Sequence, residues 1–65
     1  MEKEILEYQN QKIRIGSIVS SLRDDKEYKV MTLDSEVGKP TVRPTDPTYR
    51  GWNINLTFDF KVIEF

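Results

Sequence analysis

The chain has 65 residues, with ten basic and eleven acidic side chains and a formal net charge of -1. A chain of this length forms one domain at most, so we expect residues 1–65 to form a single domain. It contains neither cysteine nor histidine, which removes disulfides, cysteine metal sites and the usual general base at neutral pH. We therefore expect a protein that is not an enzyme and that holds no metal or cofactor.

Charge and hydropathy also limit the partners to be expected. The near-neutral balance argues against a strongly electrostatic binder of nucleic acid or membrane, although it allows a local basic patch. No apolar stretch approaches the roughly 18 residues of a membrane span, and residues 1–7 lack the apolar segment of a signal peptide. We expect a cytoplasmic protein. Alanine is absent, which suggests an AT-rich genome such as that of a phage or mobile element.

The first eleven residues allow two interpretations. Glutamate, lysine and leucine favour a short helix or a loose arm over residues 1–11. Alternatively, residues 5–8 fold back through Gln9-Asn10-Gln11 onto the strand that follows. The helix or arm is the prediction adopted, with residues 12–65 as the β-domain.

The first firm strand is predicted over residues 12–22. Ile13 and Ile15 alternate with basic neighbours, and Gly16 then interrupts the pattern. An isolated glycine within a strand pattern predicts a bulge or a sharp bend. The polar residues 23–26 predict a turn directly after it.

Residues 27–34 predict the second strand. Tyr28 and Val30 share one face of it, whereas Met31 and Leu33 share the other. After a turn at residues 35–40, the pattern predicts a short strand at 41–43. Two prolines then make residues 44–48 a rigid loop.

The C-terminal run from Trp52 to Val62 alternates apolar and polar residues without a break. This period of two is the signature of a half-buried strand. It places Trp52 in the core beside Ile54. Residues 51–65 therefore predict the closing strand, which breaks near 55–59 into two strands joined by a turn of 3₁₀ helix.

Four short segments carry a resemblance to a known fold. They are Ile15-Gly16-Ser17-Ile18-Val19, the Asp24-Asp25 turn, Tyr28-Lys29-Val30, and Phe60-Lys61-Val62-Ile63. In this order they resemble the SH3-like small barrels over residues 12–65, although none of them is specific to one family. The expected fold is all-β, a small barrel of about five antiparallel strands. The alternative is a flat meander sheet with the N-terminal segment packed as a helix on one face.

A first candidate site arises because strands carry apolar side chains on both faces. A chain this short has room for one core, which we expect to contain Tyr28, Val30, Phe58, Phe60 and Val62. Apolar side chains left outside usually mark a protein interface. These form the strand surface, defined as Met31, Leu33, Ile63 and Phe65. Alternatively the second face is covered by Ile5, Leu6 and Tyr8.

A second candidate site is the loop surface, defined as Tyr49, Arg50 and Trp52. Aromatic loop residues in proteins that resemble SH3 domains form a groove for proline-rich peptides. The same region allows nucleic-acid binding, with Lys39, Arg43 and Arg50 on phosphates and Tyr49 stacked on a base. The competing interpretation is structural, with Trp52 in the core and its two neighbours covering the end of the barrel.

An acidic cluster is the remaining candidate site. It comprises Asp24, Asp25, Glu27, Asp34 and Glu36. Calcium loops need oxygen ligands at defined positions and a glycine for the turn, and this spacing lacks both. We interpret the cluster as a solvated turn.

These patterns together predict a non-enzymatic binding module, an accessory protein of the phage type that docks on a partner protein and modulates it. One alternative is a nucleic-acid-binding barrel. Another is a structural homo-oligomer that uses the strand surface against itself. We expect no small-molecule substrate and no membrane partner.

Overall fold

The computed structural model of the protein describes residues 5–33 and 38–65. Seven β-strands and no helix are present in these residues, so the all-β prediction is confirmed. Nothing in the same ranges is a helix long and apolar enough to cross a membrane. The predictions for residues 1–4 and 34–37, which include part of the turn at 35–40, lie outside the described residues.

The strands form two antiparallel sheets. The small sheet contains β1 (Leu6–Tyr8) and β2 (Gln11–Ile13). The larger contains β3 (Ile18–Ser21), β4 (Glu27–Thr32), β5 (Thr41–Pro44), β6 (Ile54–Asn55) and β7 (Phe60–Glu64). Its order is β6-β5-β4-β3-β7, so four consecutive strands form a meander and β7 returns to pair with β3.

The five-stranded sheet is open, and the predicted closure into a barrel is wrong. β6 and β7 form its two edges and do not pair with each other. β6 has two residues, which offer too few backbone groups for a closing ladder. On β7, the outer edge is bonded instead by the side chain of Gln11, which donates to the Phe60 carbonyl and accepts from the Val62 N–H.

The N-terminal segment is a hairpin, so the helix prediction is wrong over residues 5–11. Gln9 and Asn10 connect β1 to β2 with φ of 52° and 62°. Two consecutive positive φ values define the two-residue turn whose twist matches a hairpin, and asparagine tolerates this conformation well. Leu6 and Tyr8 then fall on one face and pack against the core. The fold-back alternative is the one the structure adopts.

The predicted strand 12–22 is two strands separated by a turn. The N–H of Ser17 donates to the Arg14 carbonyl at 2.9 Å, and Gly16 has a φ of 97°. This φ lies in the left-handed region that glycine adopts without strain. The glycine therefore marks a turn rather than a bulge, while a register shift occurs later, where β3 pairs with β7.

The core lies on one face of the larger sheet, beneath the hairpin. Its buried members are Ile13, Val19, Tyr28, Val30, Val42, Leu56, Phe58 and Phe60. Val62 is half-buried and packs against them, so the inward set predicted from the alternation is correct. Leu33 also packs there, and its predicted outward position is wrong. A register shift between Val30 and Thr32 inserts one residue, which moves Leu33 to the opposite face.

The closing strand breaks at the predicted place, but the predicted turn of 3₁₀ helix is absent from it. β6 and β7 are separated by residues 56–59, which contain no 3₁₀ turn. The Thr57 N–H donates instead to the Asn55 carbonyl at 3.0 Å. This bend keeps Leu56 and Phe58 buried.

Candidate functional site

The loop at residues 45–53 connects β5 to β6 and begins with a turn held by Asp46. Its Oδ1 accepts from the Thr48 N–H at 2.9 Å and from the Thr48 hydroxyl at 2.7 Å. The Tyr49 N–H donates to the Asp46 carbonyl at 3.0 Å. These are the bonds by which an aspartate stabilises a turn. The Thr48 hydroxyl, and then the Thr48 N–H, lower the pKa of Asp46 below its ordinary value.

The second half of this loop is attached to β5 by Arg43. Its Nη1 donates to the Gly51 carbonyl at 2.9 Å and to Asn53 Oδ1 at 3.4 Å. The same guanidinium lies 5.1 Å from the centre of the Tyr49 ring. The Tyr49 hydroxyl donates to the Trp52 carbonyl at 2.7 Å. The hydrogen bonds to the Gly51 and Trp52 carbonyls therefore hold the backbone on both sides of the Trp52 side chain.

Gly51 lies in close contact with the end of the Tyr49 side chain. A methyl group at this position would overlap the Tyr49 hydroxyl and come within 2.6 Å of Tyr49 Cζ. No ordinary Cβ tolerates such a distance, so any larger residue would displace the tyrosine ring.

The sequence leaves Trp52 either in the core or on the loop surface, and its 89% exposure shows that the core position is wrong. The alternation fails because β6 begins at Ile54, and residues 51–53 are held by loop contacts rather than by a neighbouring strand. Ile54 itself is 36% exposed. A large aromatic side chain in water is a surface that association with another molecule would bury.

Arg50 accompanies Trp52 on the exposed side of the loop. It is exposed and makes no hydrogen bond or ion pair within the described part of the chain. Tyr49 is half-buried, because its ring and hydroxyl support the loop from inside. Of the three residues in the predicted loop surface, Arg50 and Trp52 face outward and Tyr49 supports them.

A groove of about 420 Å³ lies beside this loop. Its aromatic and apolar walls are formed by Tyr28, Pro44, Tyr49 and Ile54. The charged residues that line it are Glu27, Asp46 and Lys26. Burial, with the Asp24 carboxylate as a smaller cause, raises the pKa of Tyr28. The phenol in the groove is therefore uncharged at physiological pH.

No family model, no curated protein and no solved structure gives a significant match to this chain.

The structure does not assemble the strand surface into one exposed patch. Met31 is half-buried and Leu33 packs against the core. Ile63 and Phe65 are exposed, but Ile63 lies in β7 and Phe65 directly follows it. β7 is separated from β4 by β3. The Arg14 guanidinium lies 4.7 Å from the centre of the Phe65 ring and covers part of it.

The N-terminal segment covers the core rather than the second face, so the alternative in which Ile5, Leu6 and Tyr8 cover that face is not confirmed. The Tyr8 ring stacks on the core residue Phe60 with centroids 6.2 Å apart, and Leu6 also packs against the core. Ile5 is 48% exposed, and Ile63 and Phe65 remain exposed on the second face.

The nucleic-acid set is brought together only in part. Arg43 and Tyr49 contact each other, but both are engaged in holding the loop. Lys39 precedes β5, whereas Arg50 lies in the loop that follows it, so the two are at opposite ends of that strand. Arg50 is the member of the set that the structure leaves exposed without a contact among the described residues.

The acidic cluster shows no metal-binding arrangement in the part of the chain that is described. No group of three or more carboxylates there could hold a metal ion. Asp24 Oδ1 accepts instead from the Lys26 N–H at 3.2 Å, and this bond lowers its pKa. Asp34 and Glu36 lie outside the described residues.

Two features of the site escaped the sequence analysis. The supporting role of Arg43 leaves no local signal, because its partners follow it by eight and ten residues. The turn at Asp46-Pro47-Thr48 does have a signal, since aspartate two residues before a hydroxyl donor is a common turn pattern.

Proposed function

We propose that the protein is a non-enzymatic binding module that docks on a partner protein through Trp52 and Arg50 and modulates that partner. The proposal includes the role expected from the sequence, a cytoplasmic accessory protein of the phage or mobile-element type. The observation that carries it is the 89% exposure of Trp52 on a loop fixed by Arg43 and Tyr49.

The residue types support protein docking. Tryptophan, tyrosine and arginine are enriched among the residues that dominate the binding energy of protein interfaces. This loop exposes Trp52 and Arg50, which Tyr49 supports from inside. Truncation of an interface hot-spot residue costs about 2 kcal/mol or more of binding free energy. A partner pocket that accepts an indole beside carboxylates would complement Trp52 and Arg50.

The rigidity of the loop supports the same function. Ordering a flexible loop on binding costs free energy for each immobilised side chain. Here the hydrogen bonds of Asp46, Tyr49 and Arg43 already order the backbone. The binding conformation therefore exists before the partner arrives.

We also propose that the fold is an SH3-like barrel left open. The order β7-β3-β4-β5-β6, in which the last strand returns to the first strand of the meander, supports this interpretation. It remains a proposal about architecture, and the docking function does not depend on it.

Capture from a bacterial lysate tests the proposed function. Tagged wild type, Trp52→Ala and Ile63→Ala would be compared before and after nuclease treatment and in high salt. Both substituted side chains are exposed, so neither change should disturb the core. We expect one protein that wild type and Ile63→Ala capture equally and that Trp52→Ala binds roughly thirtyfold more weakly.

Two outcomes would contradict the proposal. If Ile63→Ala abolishes capture while Trp52→Ala does not, the strand surface binds the partner. If nucleic acid is recovered and is lost in high salt, the nucleic-acid alternative is correct, because phosphate contacts weaken steeply with salt.

A further inference from the structure

The exposed loop residues and the groove lie side by side. We call Trp52 and Arg50 the knob, and the space lined by Tyr28, Pro44, Tyr49 and Ile54 the groove. Tyr49 belongs to both regions, since its ring lines the groove and its hydroxyl bonds the Trp52 carbonyl. Ile54 lines the groove two residues after Trp52.

The knob and the groove have complementary chemistry. The knob combines an aromatic ring with a positive charge. The groove combines aromatic walls with two carboxylates, Glu27 and Asp46, against one lysine, Lys26. Glu27 forms no ion pair within the described residues.

The knob does not fill the groove of its own chain. Trp52 is 89% exposed, and the groove has a volume of about 420 Å³, enough for an aromatic ring. The two features are therefore open to a second molecule at the same time.

We propose that the groove binds the knob of a second copy of this chain, so that two copies form a symmetric dimer. In a two-fold interface each residue pair occurs twice, which requires a surface that complements itself. Here Trp52 of each copy would enter the groove of the other, and each Arg50 would approach Glu27 and Asp46. Trp52 would then be covered in the dimer and exposed in the monomer.

The dimer should be reversible. A stable interface buries about 800 Å² per partner, whereas the described part of the chain exposes 4982 Å² in total. We expect a contact made by two side chains and one groove to fall short of this area, so that monomer and dimer exchange with concentration. This inference does not depend on the proposed docking partner, because it concerns the protein alone.

Sedimentation velocity and fluorescence over a concentration series test the proposal. We expect the mass to rise from 7.7 kDa towards twice that value. Trp52 is the single tryptophan of the chain, so its emission should shift to shorter wavelength as the dimer forms. Trp52→Ala should remain a monomer throughout the series.

A charge exchange identifies the contact. Arg50→Glu alone and Glu27→Lys alone should each weaken the dimer, because like charges then meet twice in the two-fold interface. A mixture of the two variants should restore it, since the introduced glutamate faces the introduced lysine at one contact and the native pair meets at the other. Lys61→Glu, an exposed change on β7, should have no effect.

Each alternative outcome would overturn the proposal. A monomer at every concentration excludes self-association through any surface. A dimer that survives Trp52→Ala uses another surface. A mixture of the charge variants that associates no better than either variant alone excludes the pairing of Arg50 with the groove.

Discussion

Tyr49 is the residue on which the order of the exposed loop depends most. It donates to the Trp52 carbonyl, lies beneath the Arg43 guanidinium and packs against Gly51. The hydroxyl end of the side chain makes the contacts with Trp52 and Gly51, and the ring face makes the contact with Arg43. A change at any of these partners should therefore alter the position of Trp52.

Gly51→Ala should disorder the loop without unfolding the protein. The added methyl group overlaps the Tyr49 hydroxyl, so the ring must move and its bond to the Trp52 carbonyl is lost. We expect a loss of about 1 kcal/mol in the free energy of unfolding, measured in urea.

A double-mutant cycle with Tyr49→Phe provides the control. This change removes both the hydrogen bond and the overlapping oxygen, so the effects of Gly51→Ala and Tyr49→Phe should be less than additive. Full additivity would contradict the proposed contact.

A low pH should weaken the hydrogen bonds between Asp46 and Thr48 in the same loop. The Thr48 bonds lower the pKa of Asp46 below its ordinary value of 3.8 in the folded protein. The stabilisation is therefore fully present above about pH 4 and is lost as the pH falls through the lower folded value. The Thr48 amide shift in NMR, followed from about pH 6 to about pH 2, should report this titration.

Asp46→Asn is the matched control for the acid titration. Its side-chain carbonyl still accepts from Thr48 but does not titrate. An unchanged acid-induced shift at Thr48 in this variant would show that another group causes the effect.

At the scale of elements, the hairpin β1–β2 is joined to residues 56–62 by side chains rather than by a strand ladder. The donors are Tyr8, Gln9 and Gln11, and they reach the carbonyls of Leu56, Phe58 and Phe60 in that order. The acceptors are alternate residues, whose carbonyls point to the same side in an extended chain. The hairpin thus covers a sheet edge that would otherwise be open to pairing with another chain.

Gln11→Ala should destabilise the whole fold. The change leaves the Phe60 carbonyl and the Val62 N–H without their partner, and an unsatisfied buried group costs about 1–3 kcal/mol. Urea unfolding measures the loss. Lys12→Ala, at the adjacent exposed position, should change stability little, and an equal loss in both variants would contradict this role of Gln11.

The alternation of residue types predicted most of the sheet. It placed Tyr28, Val30, Phe58 and Phe60 inward, because the side-chain period of an extended chain is two. It failed at Leu33, where an inserted residue shifts the phase of the strand. The sequence around Leu33 does not reveal such a shift, because the shift depends on how β4 pairs with β5.

The N-terminal element shows a different limit. Leu6 and Tyr8 fit a strand and a helix about equally well over so few residues. The deciding contacts are with Leu56 and Phe60, about fifty residues away. Tertiary packing therefore selects the hairpin against the local helix preference.

At the scale of the whole molecule, the exposure of Trp52 is informative because the core is small. A domain of about this size has little stability to spare, and this chain has no cysteine for a disulfide. It nevertheless leaves its single tryptophan in water. Departures from the sequence pattern are expected where a residue serves function rather than folding. Trp52 fits that description, and the loop contacts around it support the same conclusion.

The most direct test is the fluorescence of Trp52, together with the backbone order of its loop, at concentrations where the chain sediments as a monomer. Acrylamide quenching would report the exposure of the indole, and backbone amide relaxation in NMR would report the order of residues 50–53. We expect emission close to that of free tryptophan in water, full access to the quencher and backbone order in the loop similar to that of β5. Shielded, blue-shifted emission would place Trp52 in the core, as the alternation suggested, and low backbone order would show that the loop is not ordered before binding.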